Sequence, residues 1–281
     1  MPGANGALAL RTRSDAMTNP LSRFPDLVPR VASASVMAAV GLAAIWAGGY
    51  WFLALVTLAI GVMIWELHRM LAPVEQASHA LPMALVAALA VWLSGVLPTA
   101  DVLPLALAPG FVGISILPVN RRIFGGYAVL VVLAGFGVIH MRADFGLIWM
   151  LWLLLVVVAT DVAGYFAGRL LGGPKFWPKV SPKKTWSGTI AGWVGAALVG
   201  AVFVIWADAS SQIIGLSIAL SMAAQMGDIS ESAVKRKVGV KDASNLIPGH
   251  GGLLDRFDGM LGAAVLLLLV EQMVGFPPVA G

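Results

Sequence analysis

The sequence predicts an all-α, polytopic integral membrane protein with about nine transmembrane helices. Three observations carry that reading. First, 59% of the 281 residues are hydrophobic and only 11% are charged, against roughly 25% charged in an ordinary soluble domain. Second, the mean hydropathy is +0.89, and apolar runs of near-spanning length recur along the chain. Third, the 18 basic residues sort by position as the positive-inside rule requires.

Residues 1–30 are polar and punctuated by proline, with Arg11, Arg13, Arg23 and Arg30. No short apolar region with a small-residue cleavage site follows the early arginines, so a disordered cytoplasmic arm is expected rather than a cleaved signal. The remainder, 31–281, reads as one membrane domain. Its apolar segments fall near 31–47, 50–70, 81–97, 101–118, 124–141, 145–168, 189–207, 210–230 and 260–276. A helix needs about 20 such residues to cross about 30 Å of hydrocarbon. The weakest is 101–118, interrupted by Pro104 and Pro109.

The charge pattern supports that segment. With the amino terminus inside and nine crossings, the arm and the loops near 69–80, 118–123, 169–188 and 231–259 are cytoplasmic. They then hold every basic residue except Arg142. Omitting 101–118 inverts every later loop. The outer loops are short: Gly48 and Gly49 form one turn, and 208–210 another. This arrangement puts the amino terminus in, the carboxyl terminus out, and most of the polar chemistry on the cytoplasmic face. A transporter would distribute polar groups along a midplane path. Groups gathered on one face suit an enzyme that meets a soluble substrate at the membrane surface.

Cysteine is absent, which excludes disulfides, thiolate nucleophiles and cysteine-ligated metals. His68, His79 and His140 read as interface or loop residues without ligand spacing. Gly164 and Gly168, and Gly188 and Gly192, stand at GxxxG spacing, as a helix-packing contact or a dimer seam.

Two stretches carry the chemistry. In 232–258 the basic residues Lys235, Arg236, Lys237, Lys241 and Arg256 mix with Asp242, Asp255 and Asp258, and His250 sits in the turn-rich run NLIPGHGG. A basic cytoplasmic loop would show the same charge. However, the glycines allow backbone N–H groups to approach an anion, and Asp255 and Asp258 share one helical face. Asp228 lies upstream; if its helix continues, it shares a face with Ser232 and Lys235. Asp161 ends another apolar run. An acid near hydrocarbon requires a partner or a task, and several at successive helix ends suit magnesium, which accepts oxygen ligands and joins carboxylates to phosphates. The second stretch, 172–188, reads GGPKFWPKVSPKKTWSG. It is either a tryptophan-anchored interfacial loop or a phosphate-binding loop using Lys183, Lys184 and neighbouring hydroxyls. It is not a Walker A loop.

The region 232–258 resembles the phosphatidate cytidylyltransferase (CDP-diacylglycerol synthase) family. The family signature runs S-x-apolar-K-R, K-D, H-G-G and D-R-apolar-D. It is matched here by Ser232, Val234, Lys235 and Arg236, by Lys241 and Asp242, by His250, Gly251 and Gly252, and by Asp255, Arg256, Phe257 and Asp258. SPKKTWSG (181–188) resembles the family's SPKKTWEG, and TDVAGYFAGRLLG (160–172) its D-T-x-A-Y segment. The resemblance covers 31–276. Ser187 stands where the family usually has Glu, Val162 where Thr is usual, and Gly259 where Ser often follows.

The resemblance implies transfer of CMP from CTP to phosphatidic acid, giving CDP-diacylglycerol and pyrophosphate. It also implies a magnesium requirement, with a second metal or a monovalent ion as a further candidate. A homodimer in a bacterial-type inner cell membrane is implied, with no nucleic-acid partner and with the catalytic part mainly in 145–276. On this reading Asp228, Asp255, Asp258 and Lys184 are catalytic, and Asp228, Asp255 and Asp258 bind metal with Asp161 in support. Ser181, Lys183, Lys184, Ser232, Lys235, Arg236, Lys241, His250 and Arg256 contact substrate phosphates. His250 either orients or relays a proton, or stabilises its turn. A related nucleotidyltransferase acting on another lipid phosphate, or an ion-coupled transporter, would share parts of this pattern. The D-G-x-x-A-R motif of CDP-alcohol phosphotransferases is absent.

Overall fold

The computed structural model describes residues 27–97, 102–271, 273 and 276–278. The arm residues 1–26, with Arg11, Arg13 and Arg23, lie outside them. Nine α-helices occur among the described residues, one at each predicted segment: α1 (Leu27–Ala47), α2 (Gly49–Leu71), α3 (Ala80–Ser94), α4 (Val102–Ile116), α5 (Arg121–Asp144), α6 (Gly146–Leu170), α7 (Trp186–Trp206), α8 (Gln212–Lys237) and α9 (Leu254–Glu271). A 3₁₀ turn, Val74–His79, leads into α3. Seven apolar helical stretches are long enough to span a membrane, among them Arg30–Ala47 and Val74–Ser94. The protein is polytopic.

Two helices fall short of that standard. The fifteen residues of α4 rise about 22 Å, less than the hydrocarbon thickness of about 30 Å, and Pro109 lies inside it. The eighteen residues of α9 carry Asp255, Arg256, Asp258 and Glu271.

Three boundaries depart from expectation. The arm ends sooner, because α1 already includes Arg30. Helix α8 runs on to Lys237, so Ser232, Lys235 and Arg236 stand on a helix and not in a loop. Helix α9 begins at Leu254, six positions before the apolar run. Charged residues hid both extensions from hydropathy, which marks what meets lipid and not where hydrogen bonding stops; the shared helical face read for Asp255 and Asp258 agrees with the observed start of α9.

The stretch 172–188 also departs from the all-α expectation. It contains an antiparallel hairpin of β1 (Lys175–Trp177) and β2 (Ser181–Thr185), with Lys175 opposite Thr185 and Trp177 opposite Ser181.

Helices α2 to α5 pack in succession, as do α6 to α9, and α9 closes against α5. Trp152, Phe124, Leu153 and Leu267 are among the largest fully buried side chains. Two close approaches shape the second half. A Cβ on Gly188 would lie 2.6 Å from the Gly164 carbonyl oxygen, so the GxxxG spacings pack α6 on α7 within the chain. A Cβ on Gly227 would crowd the Asp258 carbonyl and lie 3.1 Å from the Gly262 nitrogen. The α8 and α9 backbones therefore meet beside Asp228 and Asp258.

One histidine departs from the sequence reading. His68 is fully buried within α2, edge-on to Phe124. His140 lies between Asp144 and Glu271, with Nε2 2.8 Å from the glutamate.

Candidate active site

The polar groups collect at one end of the bundle: the start of α1, the end of α2, the hairpin, the end of α8 and the start of α9. The hairpin is tied down locally. Thr185 precedes α7 in extended conformation, and its hydroxyl accepts a hydrogen bond from Gly188 N at 3.2 Å, a helix N-cap. Ser187, where a glutamate was expected by resemblance, donates to the Gly172 carbonyl and pairs with the Thr185 hydroxyl at 3.0 Å. It closes the loop and leaves no acid there.

Lys184, one position before the cap, points to α8. Its Nζ lies 2.5 Å from Asp228 Oδ2 and 3.4 Å from the Gln225 carbonyl. Gln225 braces the junction, donating to the Thr189 carbonyl at 3.1 Å and accepting from Trp193 Nε1 at 3.0 Å. On α6, the Thr160 hydroxyl bonds to Ser221 at 2.8 Å and fixes the position of Asp161 beside it. These elements enclose a cleft of about 410 Å³ whose walls include Asp161, Arg169, Lys183, Lys184 and Asp228.

A row of acids continues from the cleft. Ser232 donates to Asp228 Oδ1 at 3.3 Å, as their i, i+4 spacing predicts. Asp258 is an electrostatic neighbour of both Asp228 and Glu231, and its Oδ1 accepts from Gly259 N at 2.7 Å. Lys235 is buried between Glu231 Oε2 at 2.5 Å and Asp255 Oδ1 at 2.6 Å. The other oxygen of Asp255 accepts from Ala243 N and Gly252 N, both at 2.8 Å. Asp255 and Lys235 thus form a buried brace between α8 and α9, and Lys235 does not line the cleft.

A second cavity, of about 590 Å³, opens where the loop before α9 meets α1. Arg30, Lys241, Asp242, His250 and Arg256 are among its walls. His250 Nδ1 lies 2.8 Å from the Ser33 hydroxyl, which also donates to the Pro248 carbonyl at 3.2 Å. This contact docks the turn on α1. Arg236 bonds to the Val240 carbonyl at 3.1 Å and closes the end of α8. Neither Arg236 nor Ser181 lines either cavity.

Of the predicted site residues, the structure brings Asp161, Lys183, Lys184 and Asp228 to the first cavity. Lys241, His250 and Arg256 come to the second, and Ser232, Lys235, Asp255 and Asp258 lie between. Arg169, Glu231 and Arg30 were missed; Arg169 lines the first cavity. Glu231, fully buried, has i+3 and i−4 spacing to Asp228 and Lys235, a signal available in the sequence. Arg30 was assigned to the arm, and nothing local marks it as a cavity wall.

Among the described residues, no group of three or more His, Asp or Glu side chains is arranged to hold a metal ion. Asp161, Asp228, Asp255 and Asp258 do not form one cage. The donor set is nevertheless all oxygen, and Glu231 Oε1 is buried without a hydrogen-bond partner, so the row has unused acceptor capacity of the kind magnesium takes.

A family model described as the Cytidylyltransferase family matches residues 28–274, nearly the whole described chain. The chain is 45% identical over 154 residues to a phosphatidate cytidylyltransferase of Brucella suis, covering 52% of this chain and 57% of that protein. It is 41% identical over 142 residues to the protein of that name from Staphylococcus saprophyticus, covering 49% and 55%. For the one from Helicobacter pylori strain 26695 the identity is 42% over 132 residues, covering 46% and 49%. These matches span about half the length of each relative. The chain belongs to the Cytidylyltransferase family.

Proposed function

We propose that the chain transfers CMP from CTP to phosphatidic acid, releasing pyrophosphate and leaving CDP-diacylglycerol in the bilayer. The observation that carries this reading is two cation-walled cavities at one end of a membrane helix bundle, joined by a row of carboxylates. The named relatives supply the substrate class. The charge distribution of the loops supports a cytoplasmic location for this end, with the amino terminus inside and the carboxyl terminus outside. Reporter fusions that put both termini on one side would overturn that orientation.

The reaction brings together two phosphate-bearing anions, and their repulsion is the first barrier. Arg169, Lys183, Arg30, Lys241 and Arg256 have no carboxylate ion pair among the described residues, so their charge is free to offset it. An ionised phosphate oxygen of phosphatidic acid attacks the α-phosphorus of CTP. The new O–P bond forms as the bond from that phosphorus to the bridging oxygen of the β-phosphate breaks, and pyrophosphate departs with that electron pair. The nucleophile is already ionised, so no protein base is required. Catalysis is positioning and charge neutralisation.

Lys184 is poised for exchange: an arriving phosphate offers its ammonium a stronger partner than Asp228, freeing that carboxylate. Asp228 and Asp258, with Asp161 across the cleft, would hold magnesium, while Asp255 fixes the start of α9. Magnesium bound there would supply positive charge to the polyphosphate. Purified protein given CTP, phosphatidic acid and magnesium should form CDP-diacylglycerol and pyrophosphate in equal amounts. Absence of both products from folded protein would overturn the reading.

A further inference from the structure

Glu66, at the end of α2, is 0% exposed. Its Oε1 accepts from Ser244 Oγ at 2.6 Å and from Leu253 N at 2.9 Å, and its Oε2 accepts from Leu254 N at 2.7 Å. These last two groups are the backbone donors at the start of α9. A helix leaves its first N–H groups without internal partners, and Leu253, immediately before the helix, has no side-chain oxygen to receive them. A carboxylate is also favoured at this positive end of the helix dipole. Glu66 therefore caps α9 from a different helix, 188 positions away in sequence.

The grip is shared. Asp255 takes Ala243 N and Gly252 N, so two carboxylates hold the loop at Ala243 and the three consecutive amides of Gly252, Leu253 and Leu254 at the helix start. From Asp255 the connection runs through Lys235 to Glu231, and Asp258 is one turn further along α9. Glu66 lines neither cavity.

We propose that Glu66 is a positioning residue for the transfer. From α2 it sets the height and angle at which α9 presents Asp258 to Asp228, and it holds the loop that carries Lys241 and His250. The proposal rests on the cytidylyltransferase reading for its kinetic consequence. The clasp itself does not.

The experiment compares wild type with Glu66→Gln, Glu66→Ala and Ser244→Ala, all purified in detergent. Misplacement of reacting groups by about 1 Å lowers rates on the order of a hundredfold. Glu66→Ala should therefore lose about that much kcat and Glu66→Gln about tenfold, with KM for phosphatidic acid held within about threefold. Ser244→Ala, which spares both backbone bonds, should lose only a few-fold. In parallel, trypsin should cut after Lys237 and Lys241 faster in both Glu66 variants than in wild type, since the loop is released. That readout needs no turnover: if wild type makes no CDP-diacylglycerol, the functional reading fails while the clasp is still tested by proteolysis. Wild-type cleavage rates would overturn the inference. So would a kcat loss that matches the unfolded fraction, leaving folded enzyme at full speed. Should Glu66→Ala not fold, Glu66→Gln and Ser244→Ala decide the matter by the same two readouts.

Discussion

At the end of the bundle where α5 and α9 finish, charge closes on the chain itself. His140 sits between Asp144 and Glu271, and Arg142 donates to the carbonyls of Ile45 at 2.6 Å and Trp46 at 3.3 Å, at the exposed end of α1. At the opposite end, Lys184, Lys235 and the acids of α8 and α9 form a partly neutralised row. Arg169, Lys183, Arg30, Lys241 and Arg256 stand around it without carboxylate partners among the described residues. Both ends hold polar groups near lipid, where an unmatched charge is expensive. At the first end His140 and Arg142 find their partners within the chain and fasten helix to helix. The second leaves cations in excess around two cavities, the condition of a surface that acquires its anions from outside.

The contrast can be broken most severely at Asp228 and Asp258. Asparagine preserves size and removes charge, so Asp228→Asn and Asp258→Asn should fold yet lose most turnover, on the order of a hundredfold or more. CDP-diacylglycerol formation across a magnesium titration reads this out. Near-normal turnover in both would mean that the row is structural, as the far end is. Lys184→Ala comes next. Hydrogen bonds to charged groups contribute about 1.5–3 kcal/mol, so kcat/KM should drop about tenfold to a hundredfold; wild-type kinetics would reduce the hairpin to a membrane anchor. Arg30→Gln and Arg256→Gln remove single cations from an open cavity and should raise KM for one phosphate substrate by about threefold to tenfold. The substrate affected identifies what that cavity receives. Smallest in turnover is His140→Gln. It should leave kcat unchanged while lowering the unfolding midpoint by about 2–4 °C per kcal/mol lost. A kcat effect there would erase the distinction between the ends.

Hydropathy located all nine helices because membrane insertion selects composition over a long window, and averaging over some 20 residues is robust. It failed where a helix leaves the apolar region: α8 continues through Glu231, Lys235 and Lys237, and α9 starts on a charged turn. The hairpin was hidden by Pro174, Pro178 and Pro182, which signal interruption without saying what replaces the helix. At the site, the acids and the lysine loop were legible because several unusual residues cluster at fixed spacing. Pairing was not. Whether Lys235 meets a phosphate or a carboxylate depends on Asp255, twenty positions away, and Arg30 joins its cavity only through the packing of α1. Glu66 shows the limit most clearly, since its partners are contributed by the far end of the chain.

That cap between distant helices has a consequence for biogenesis. The chain emerges amino terminus first, and Glu66 precedes Leu253 by 187 residues. At a synthesis rate of about 5–20 residues per second, the carboxylate waits roughly 10–40 seconds before its backbone partners leave the ribosome. During that interval α2 carries an unsatisfied acid at the membrane boundary, held in place of a finished contact. The first half of the bundle is therefore an incomplete object until the last helix arrives, and a ribosome stalled before the loop releases a chain that lacks Asp258 and also carries a defect in its second helix, open there to a membrane protease.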